Sequence, residues 1–282
     1  MRWPPYQHIF FDCDSTLTAV EGIDVLAQSS GKGWRVEVLT RAAMEGQLAL
    51  EDVYDRRLSA VKPTRKQIAS VRQVYKRNIV QDAAAVVSAL QALGHAVYII
   101  SGGLAEPVVE FGLFLGVPRE NIRAVGVRYN ELSGRWWQND QLSASEKRYL
   151  DHDDGALTVS DGKARIMRDL LGNQRGRTLM VGDGLSDLFA GKGADLFVGF
   201  GGVVRRAPVE SSADCFVSSP SLAPLIAVAA GPAALLELRE KGYGELATRT
   251  DQLINTGAVT FNNERLNKKF YEAYQAIHTG SY

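Results

Sequence analysis

The chain has 282 residues, of which 45% are hydrophobic and 23% charged, and its 32 basic and 32 acidic side chains leave no net charge. This composition is typical of a globular protein with a sizeable core, and balanced charge without a long basic run argues against a nucleic-acid partner. The apolar runs are too short to span a bilayer, the first residues lack the apolar core of a signal peptide, and two cysteines cannot form a disulfide framework. We therefore predict a cytoplasmic protein with no membrane partner.

The first predicted strand, residues 8–11, ends in two aspartates, Asp12 and Asp14, with Cys13 between them. Residues two apart on an extended chain point to the same side, so the two carboxylates should lie close together while Cys13 points away into the core. Desolvated carboxylates repel each other, and a cation or a proton must separate their charges. The pair predicts a functional site at this strand end, with a solvated turn as the alternative.

The next segment, residues 18–81, is polar, has a helical period and contains no strand-like run. We predict that it forms a helical cap inserted between the first strand and the second.

Further along the chain, short apolar runs alternate with helical patterns, which predicts an α/β fold with a doubly wound, mainly parallel sheet. The predicted strands are 96–100, 178–181, 196–198 and 215–217, and the predicted helices are about 83–93, 104–115, 163–171, 185–191 and 221–230. Ligands bind at the carboxyl ends of the strands in such sheets. Asp12, Ser101 and Asp183 each follow a strand, so we expect them to meet at one edge.

Two of the motifs at this edge suit an anion. Ser101 is followed by Gly102 and Gly103 at the start of a predicted helix, where glycines let the backbone approach a ligand and free amides attract negative charge. Lys163 stands in the first turn of another helix, an unfavourable place for a cation unless a bound anion offsets the penalty. The structural alternatives are an ordinary strand-to-helix turn and a surface lysine.

Asp183 lies between two glycines after the next predicted strand, and Asp187 follows in the first turn of a helix. Two acids at this spacing suit a hard divalent cation such as Mg²⁺. A capped helix start is the structural alternative.

The ordered set D-x-D-S-T, S-G-G, a lysine and G-D-G-x-S-D resembles the haloacid dehalogenase-like phosphatase superfamily over residues 6–228. The resemblance implies a Rossmann-like core formed by 6–17 and 82–228 and a cap formed by 18–81. It implies that Asp12 is the nucleophile, which forms an aspartyl-phosphate, and that Asp14 is the acid and then the base.

The same resemblance implies Mg²⁺ as the cofactor and a phosphate-binding set around it. The implied metal ligands are the Asp12 carboxylate, the Asp14 carbonyl and Asp183, with Asp187 beside them, and the implied phosphate-binding residues are Ser101, Gly102, Gly103 and Lys163.

Within the cap, the stretches VEGIDVLAQ and AMEGQLALEDVYDRRLSAVK resemble the phosphoserine phosphatase family. This resemblance implies that Glu21 binds the amino group of a phosphorylated amino acid and Arg57 its carboxylate, with Met44 as an apolar neighbour. Ser186, where the family often has asparagine, is assigned to the same substrate site. The implied reaction is Mg²⁺-dependent hydrolysis of O-phospho-L-serine. Without the resemblance, Glu21 and Arg57 would be taken for solvated helix charges.

Two segments have no counterpart in this resemblance. Asp151, His152 and Asp153 could imitate a metal site, but we predict a solvated loop there. Residues 229–282 are predicted to form a C-terminal helical extension. The alternative functions are a phosphatase or phosphotransferase for another small phosphorylated metabolite and a catalytically inactive phosphate-binding or regulatory protein.

Overall fold

The computed structural model describes residues 3–31, 33–44, 50–133, 137 and 141–279. Within these residues a seven-stranded sheet has the order β3-β2-β1-β6-β7-β8-β9, and β4 and β5 form a separate pair. The strands are β1 (His8–Phe11), β2 (Ala96–Leu104), β3 (Ile122–Val125), β4 (Val127–Tyr129), β5 (Tyr149–His152), β6 (Thr178–Gly182), β7 (Leu196–Phe200), β8 (Cys215–Val217) and β9 (Val259–Phe261). All neighbours in the large sheet pair in parallel except β8 and β9, which confirms the predicted mainly parallel sheet.

The first strand, β1, lies at the centre of the sheet, with β2 on one side and β6 on the other. All four of its residues are buried, as expected for a parallel strand covered on both faces. The second strand is longer than predicted: β2 continues through Ser101, Gly102 and Gly103 to Leu104, with a shift in its register against β3 after Ile100. This irregularity is where the glycines are needed, because they let the backbone leave regular pairing.

The described part of 18–81 is helical, as predicted, and the helices of the core alternate with its strands. The cap helices are α1 (Gly22–Ser29), α2 (Gly33–Met44), α3 (Leu50–Val61) and α4 (Arg65–Arg77). The core helices are α5 (Ala83–Ala92), α6 (Ala105–Phe114), α7 (Gly162–Leu171), α8 (Leu185–Gly191), α9 (Ala207–Ser212) and α10 (Leu225–Ala230). The two cap connections pair with each other, since the Ala19 amide donates to the Asn78 carbonyl at 2.7 Å and the Val80 amide to the Leu17 carbonyl at 3.0 Å.

The antiparallel pair β4 and β5 was not predicted, and we call it the ribbon. The ribbon is bound to the corner between α3 and α4, where the Tyr149 amide donates to the Pro63 carbonyl at 2.8 Å. Just before β5, the Lys147 carbonyl accepts from the Arg65 amide at 2.8 Å. The ribbon therefore connects the cap to a segment of the core that lies far along the chain.

The solvated loop predicted for 151–153 is wrong for Asp151 and His152, which belong to β5. His152 is buried, with its Nδ1 2.8 Å from the Tyr149 hydroxyl, and the half-buried Asp151 pairs with Arg128. Within the described residues, neither of them nor Asp153 belongs to a group that could hold a metal. These residues form a strand because they pair with β4, a partner that the local sequence did not indicate.

The tail contains α11 (Ala234–Glu240), α12 (Gly244–Asn255) and α13 (Glu264–Thr279). The prediction of a purely helical extension is wrong for Val259–Phe261, which forms β9 and pairs antiparallel with β8. An unpaired strand edge exposes backbone donors and acceptors, and β9 satisfies those of β8. Trp3 fastens the tail further, because its ring packs edge-on at 5.7 Å from Phe261 and 5.2 Å from Phe270.

Among the helices that the structure describes, none has both the length and the apolar content that crossing a bilayer requires. Cys13 and Cys215 are both free and buried.

Candidate active site

A pocket lies between the cap helices and the carboxyl ends of β1, β2 and β6, where the sequence predicts the site. Eleven of the predicted site residues line it, namely Asp12, Asp14, Glu21, Arg57, Ser101, Gly102, Gly103, Lys163, Asp183, Ser186 and Asp187. The twelfth, Met44, ends α2, and its side chain lies outside the described part of the structure. The fold therefore brings together residues from both the core and the cap.

Lys163 forms the electrostatic centre of the pocket. Its Nζ lies 2.7 Å from Asp12 Oδ1 and 2.7 Å from Asp187 Oδ1, and all three side chains are buried. Burial by itself would lower the pKa of Lys163, but the two carboxylates raise it above the ordinary value, so the lysine stays charged. Burial and the nearby Asp187 raise the pKa of Asp12 to about 7, against the opposing effect of Lys163.

Asp183 has a cationic partner that the sequence reasoning missed. Arg206, which precedes α9, places Nε 3.0 Å and Nη2 2.9 Å from Asp183 Oδ2, and the Thr16 hydroxyl donates to Oδ1 at 3.3 Å. Burial raises the pKa of Asp183, and Arg206 opposes this rise. The sequence shows two adjacent arginines, Arg205 and Arg206, but does not indicate which of them faces the site. In the structure Arg205 is exposed and pairs with Glu210.

The carboxylates of this pocket fit a divalent cation. Asp12, Asp183 and Asp187 each offer an oxygen atom, and these atoms lie within 4.8 Å of one another. Buried carboxylate oxygens are the ligands that a hard cation prefers. With Lys163 and Arg206 as the neighbouring cations, ionisation of all three carboxylates would leave an excess of negative charge that such an ion would balance.

Asp14 differs from Asp12 because no cation among the described residues forms an ion pair with its carboxyl group. Its Oδ2 accepts a hydrogen bond from the Gly22 amide at 3.1 Å, and within the described residues Oδ1 has no partner. Burial raises the pKa of Asp14 well above its ordinary value, and the charge of Glu21 raises it further. The arrangement favours a protonated carboxyl, which is what an acid in this position requires.

The turn after β1 also fixes Glu21. Ser15 has a positive φ of 55°, an unusual conformation for a residue other than glycine, and its hydroxyl donates to Glu21 Oε1 at 2.7 Å. Arg206 Nη2 lies 3.9 Å from the same oxygen. Glu21 thus lines the pocket and also lies near the carboxylate cluster, through the Arg206 that pairs with Asp183.

The S-G-G segment of β2 presents its backbone to the pocket. The Gly103 amide donates to Ser101 Oγ at 2.9 Å, and a Cβ atom on Gly103 would lie 3.0 Å from Val108 and 3.1 Å from Ser101 Oγ. From the cap, the Tyr54 hydroxyl donates to the Gly102 carbonyl at 2.8 Å. This contact between cap and core was not predicted, because an isolated tyrosine on a helix resembles a core residue.

Arg57 is buried on α3, so its interpretation as a solvated helix charge is wrong. Its Nη1 donates to Thr40 Oγ1 at 3.2 Å, whereas its buried Nε finds no acceptor among the described residues. Burial lowers the pKa of Arg57. A buried donor without an acceptor is costly, and a ligand carboxylate in the pocket would satisfy it.

Cys13, between the two aspartates, is fully buried, and burial raises the pKa of its thiol well above the ordinary value. The thiol therefore stays protonated, in agreement with its prediction as a core residue and not a nucleophile.

Comparisons with known proteins agree with this geometry. The sequence model of the haloacid dehalogenase-like hydrolase family matches residues 6–195. The chloroplastic phosphoserine phosphatase of Arabidopsis thaliana is 32% identical over 219 residues, which are 76% of this chain and 70% of that protein. The phosphoserine phosphatase of Mus musculus is 30% identical over 211 residues, which are 74% of this chain and 88% of that protein.

Two solved phosphoserine phosphatase structures share the fold. One contains an analogue of the phospho-aspartyl intermediate and superposes with a TM-score of 0.65 at 24% identity, covering 79% of this chain and 98% of that one. The other has substrate bound and superposes with a TM-score of 0.66 at 23% identity, covering 80% of this chain and 98% of that one. The chain therefore belongs to the haloacid dehalogenase-like hydrolase family, as a member similar to the phosphoserine phosphatases.

Proposed function

We propose that this protein hydrolyses O-phospho-L-serine to L-serine and phosphate. The observation that carries the proposal is that one pocket joins the carboxylate and lysine cluster around Asp12 to the buried, unpaired Nε of Arg57. The cluster suits a phosphoryl group and the guanidinium suits a carboxylate, and phosphoserine carries both groups. The relatives named as phosphoserine phosphatases support the same substrate.

In the proposed reaction, an Asp12 oxygen attacks phosphorus and forms an aspartyl-phosphate while the bond from phosphorus to the serine oxygen breaks. Asp14 gives its proton to that departing oxygen. In the second half, Asp14 takes a proton from water, which attacks the phosphoryl group and releases phosphate and Asp12. Asp12 pairs with Lys163, whereas Asp14 has no ion-pair partner in the described part of the chain, and this difference supports the division of roles.

The phosphoryl oxygens are proposed to bind Lys163, Ser101 and the amides of Gly102 and Gly103, all of which line the pocket. Because Asp187 holds Lys163 in place, the ammonium group can bind a phosphoryl oxygen without leaving the site. These donors are fixed before the reaction and need little rearrangement as charge spreads over the phosphoryl group.

Mg²⁺ is the cofactor we propose, held by Asp12, Asp183 and the Asp14 carbonyl, with Asp187 beside them. When bound, it supplies positive charge that offsets the phosphoryl group and the carboxylates.

The cap is proposed to select the substrate. Glu21 would bind the ammonium group and Arg57 the carboxylate, while Ser186 and Met44 complete the site. We propose three parts of the chain: a core of residues 6–17 and 82–228, a cap of residues 18–81 and a C-terminal extension of residues 229–282. We also propose a cytoplasmic location, which the two free cysteines support.

A substrate panel tests the proposal. We expect phosphate release from phosphoserine to exceed release from sugar phosphates and nucleotides by at least about a hundredfold in kcat/KM, because only phosphoserine uses both ends of the pocket. We also expect this release to stop when divalent cations are chelated and to return with added Mg²⁺. A preference for another phosphate ester would contradict the proposed substrate, and transfer of phosphate to added homoserine without release of free phosphate would contradict hydrolysis.

Arg57→Met tests the substrate-binding role of the cap. The change keeps an apolar stem but removes the guanidinium, and we expect KM for phosphoserine to rise about a hundredfold, as for a lost bidentate ion pair. Phosphoethanolamine has no carboxylate, so its kcat/KM should change less than about threefold. The matched control is Arg56→Met, since Arg56 is exposed on the same helix. Equal losses with the two substrates would contradict the role of Arg57.

A further inference from the structure

Tyr75, on α4 of the cap, carries a buried hydroxyl that the proposed reaction does not use. The side chain is fully buried, and its Oη has no hydrogen-bond partner among the described residues. The ring packs edge-on against Phe111 at 5.5 Å, which explains an aromatic residue here but not a hydroxyl. Because an unpaired buried hydroxyl is costly, phenylalanine would suit the packing better.

The hydroxyl lies against the Asp14 carboxyl, close enough to act on the pKa of that group. Asp14 Oδ1 is itself buried and has no partner among the described residues, so two interacting side chains each carry an unused hydrogen-bonding atom. The two groups do not reach hydrogen-bond geometry in this conformation, although they are close enough to interact.

Gly22 makes room for this approach. A Cβ atom on Gly22 would lie 2.3 Å from Tyr75 Oη, so any other residue at this position would displace the hydroxyl. The Gly22 amide meanwhile donates to the second oxygen of Asp14, Oδ2, at 3.1 Å. Oδ2 lies on the phosphate-binding side, since a Cβ atom on Gly103 would lie 3.4 Å from it.

We propose that Tyr75 is a positioning residue for proton transfer: when the cap closes, its hydroxyl donates to Asp14 Oδ1 and so directs Oδ2 toward the leaving oxygen. The proposal rests on the proposed function, in which Asp14 is the acid. The proton moves from Oδ2 to the serine oxygen as the bond from that oxygen to phosphorus breaks, and Tyr75 keeps its own proton.

This arrangement couples cap position to chemistry. Asp14 belongs to the core and Tyr75 to the cap, so the hydrogen bond forms only when the two parts are correctly placed. Binding of the substrate by the cap thereby becomes a condition for protonating the leaving group.

The test is Tyr75→Phe in the full chain with Mg²⁺, compared with wild type on phosphoserine and on acetyl phosphate. Serine must leave with a proton, whereas acetate leaves as a stable anion and needs none. We expect kcat/KM to fall about tenfold with phosphoserine, as for a lost hydrogen bond, and less than about twofold with acetyl phosphate. Thermal unfolding should occur at the same or a higher temperature, because the variant removes an unpaired hydroxyl.

The matched control is Tyr98→Phe, which removes a hydroxyl bonded to Gln174 outside the pocket and should alter neither activity. Equal losses with the two substrates, or no loss with phosphoserine, would overturn the role of Tyr75. A wild-type protein that does not hydrolyse phosphoserine would overturn the proposed function, and this inference with it, before any variant is compared.

Discussion

Replacing Asp12 with asparagine is expected to lower kcat for phosphoserine by at least about 10⁴-fold, because an amide cannot form the aspartyl-phosphate. The substitution nearly preserves volume, and the amide oxygen can still accept from Lys163. Since Asp12 is buried beside Asp187 and burial holds its pKa at about 7, loss of its charge should not destabilise the fold.

The measurement is acid quenching of the reaction with ³²P-labelled phosphoserine. Wild type should retain protein-bound label, and Asp12→Asn should retain none. The matched control is Asp169→Asn, because Asp169 is exposed on α7 away from the pocket. Residual turnover within tenfold of wild type would mean that another group is the nucleophile.

Replacing Lys163 with methionine is expected to affect both folding and activity. It leaves Asp12 and Asp187 buried without the cation that now lies 2.7 Å from each. Removal of one partner of a buried ion pair lowers the free energy of unfolding by about 3–5 kcal/mol. Loss of a phosphate-binding cation should also lower kcat/KM at least about a hundredfold.

Urea denaturation without divalent cations measures the loss of stability, with Lys268→Met on the exposed face of α13 as the control. The loss should grow with pH. Removing the lysine raises the pKa of Asp12 further, so the folded variant binds a proton more tightly than the unfolded chain does, and its free energy of unfolding falls as pH rises. A loss that is equal at pH 6 and pH 8 would contradict this account.

Much of the site could be predicted because its residues follow local signals. Asp12, Ser101 and Asp183 follow apolar runs that form neighbouring parallel strands, and parallel strands bring their carboxyl ends to one edge. The local signal was weaker for the cap. There the resemblance to a family, not the spacing of residues, distinguished Arg57 from its exposed neighbour Arg56.

The features that were missed depend on partners far along the chain. Arg205 and Arg206 look alike in sequence, and only the path of the chain after β7 turns Arg206 toward Asp183. The three residues of β9 are too few for a periodic pattern, and they become a strand because β8 offers an open edge. Tyr75 has the helical spacing of a core residue, and only the folded structure, which places its hydroxyl near Asp14, indicates a role for that hydroxyl.

The ribbon restricts how the cap can open to release product. A cap joined to the core by two adjacent connections could swing outward as a rigid flap, but the backbone hydrogen bonds at Pro63 and Arg65 fasten its far corner as well. Release of serine therefore requires either a local rearrangement of α1, α2 and α3 or breakage of the hydrogen bonds at this corner. We therefore expect the ribbon to slow the release of product as well as to support the cap.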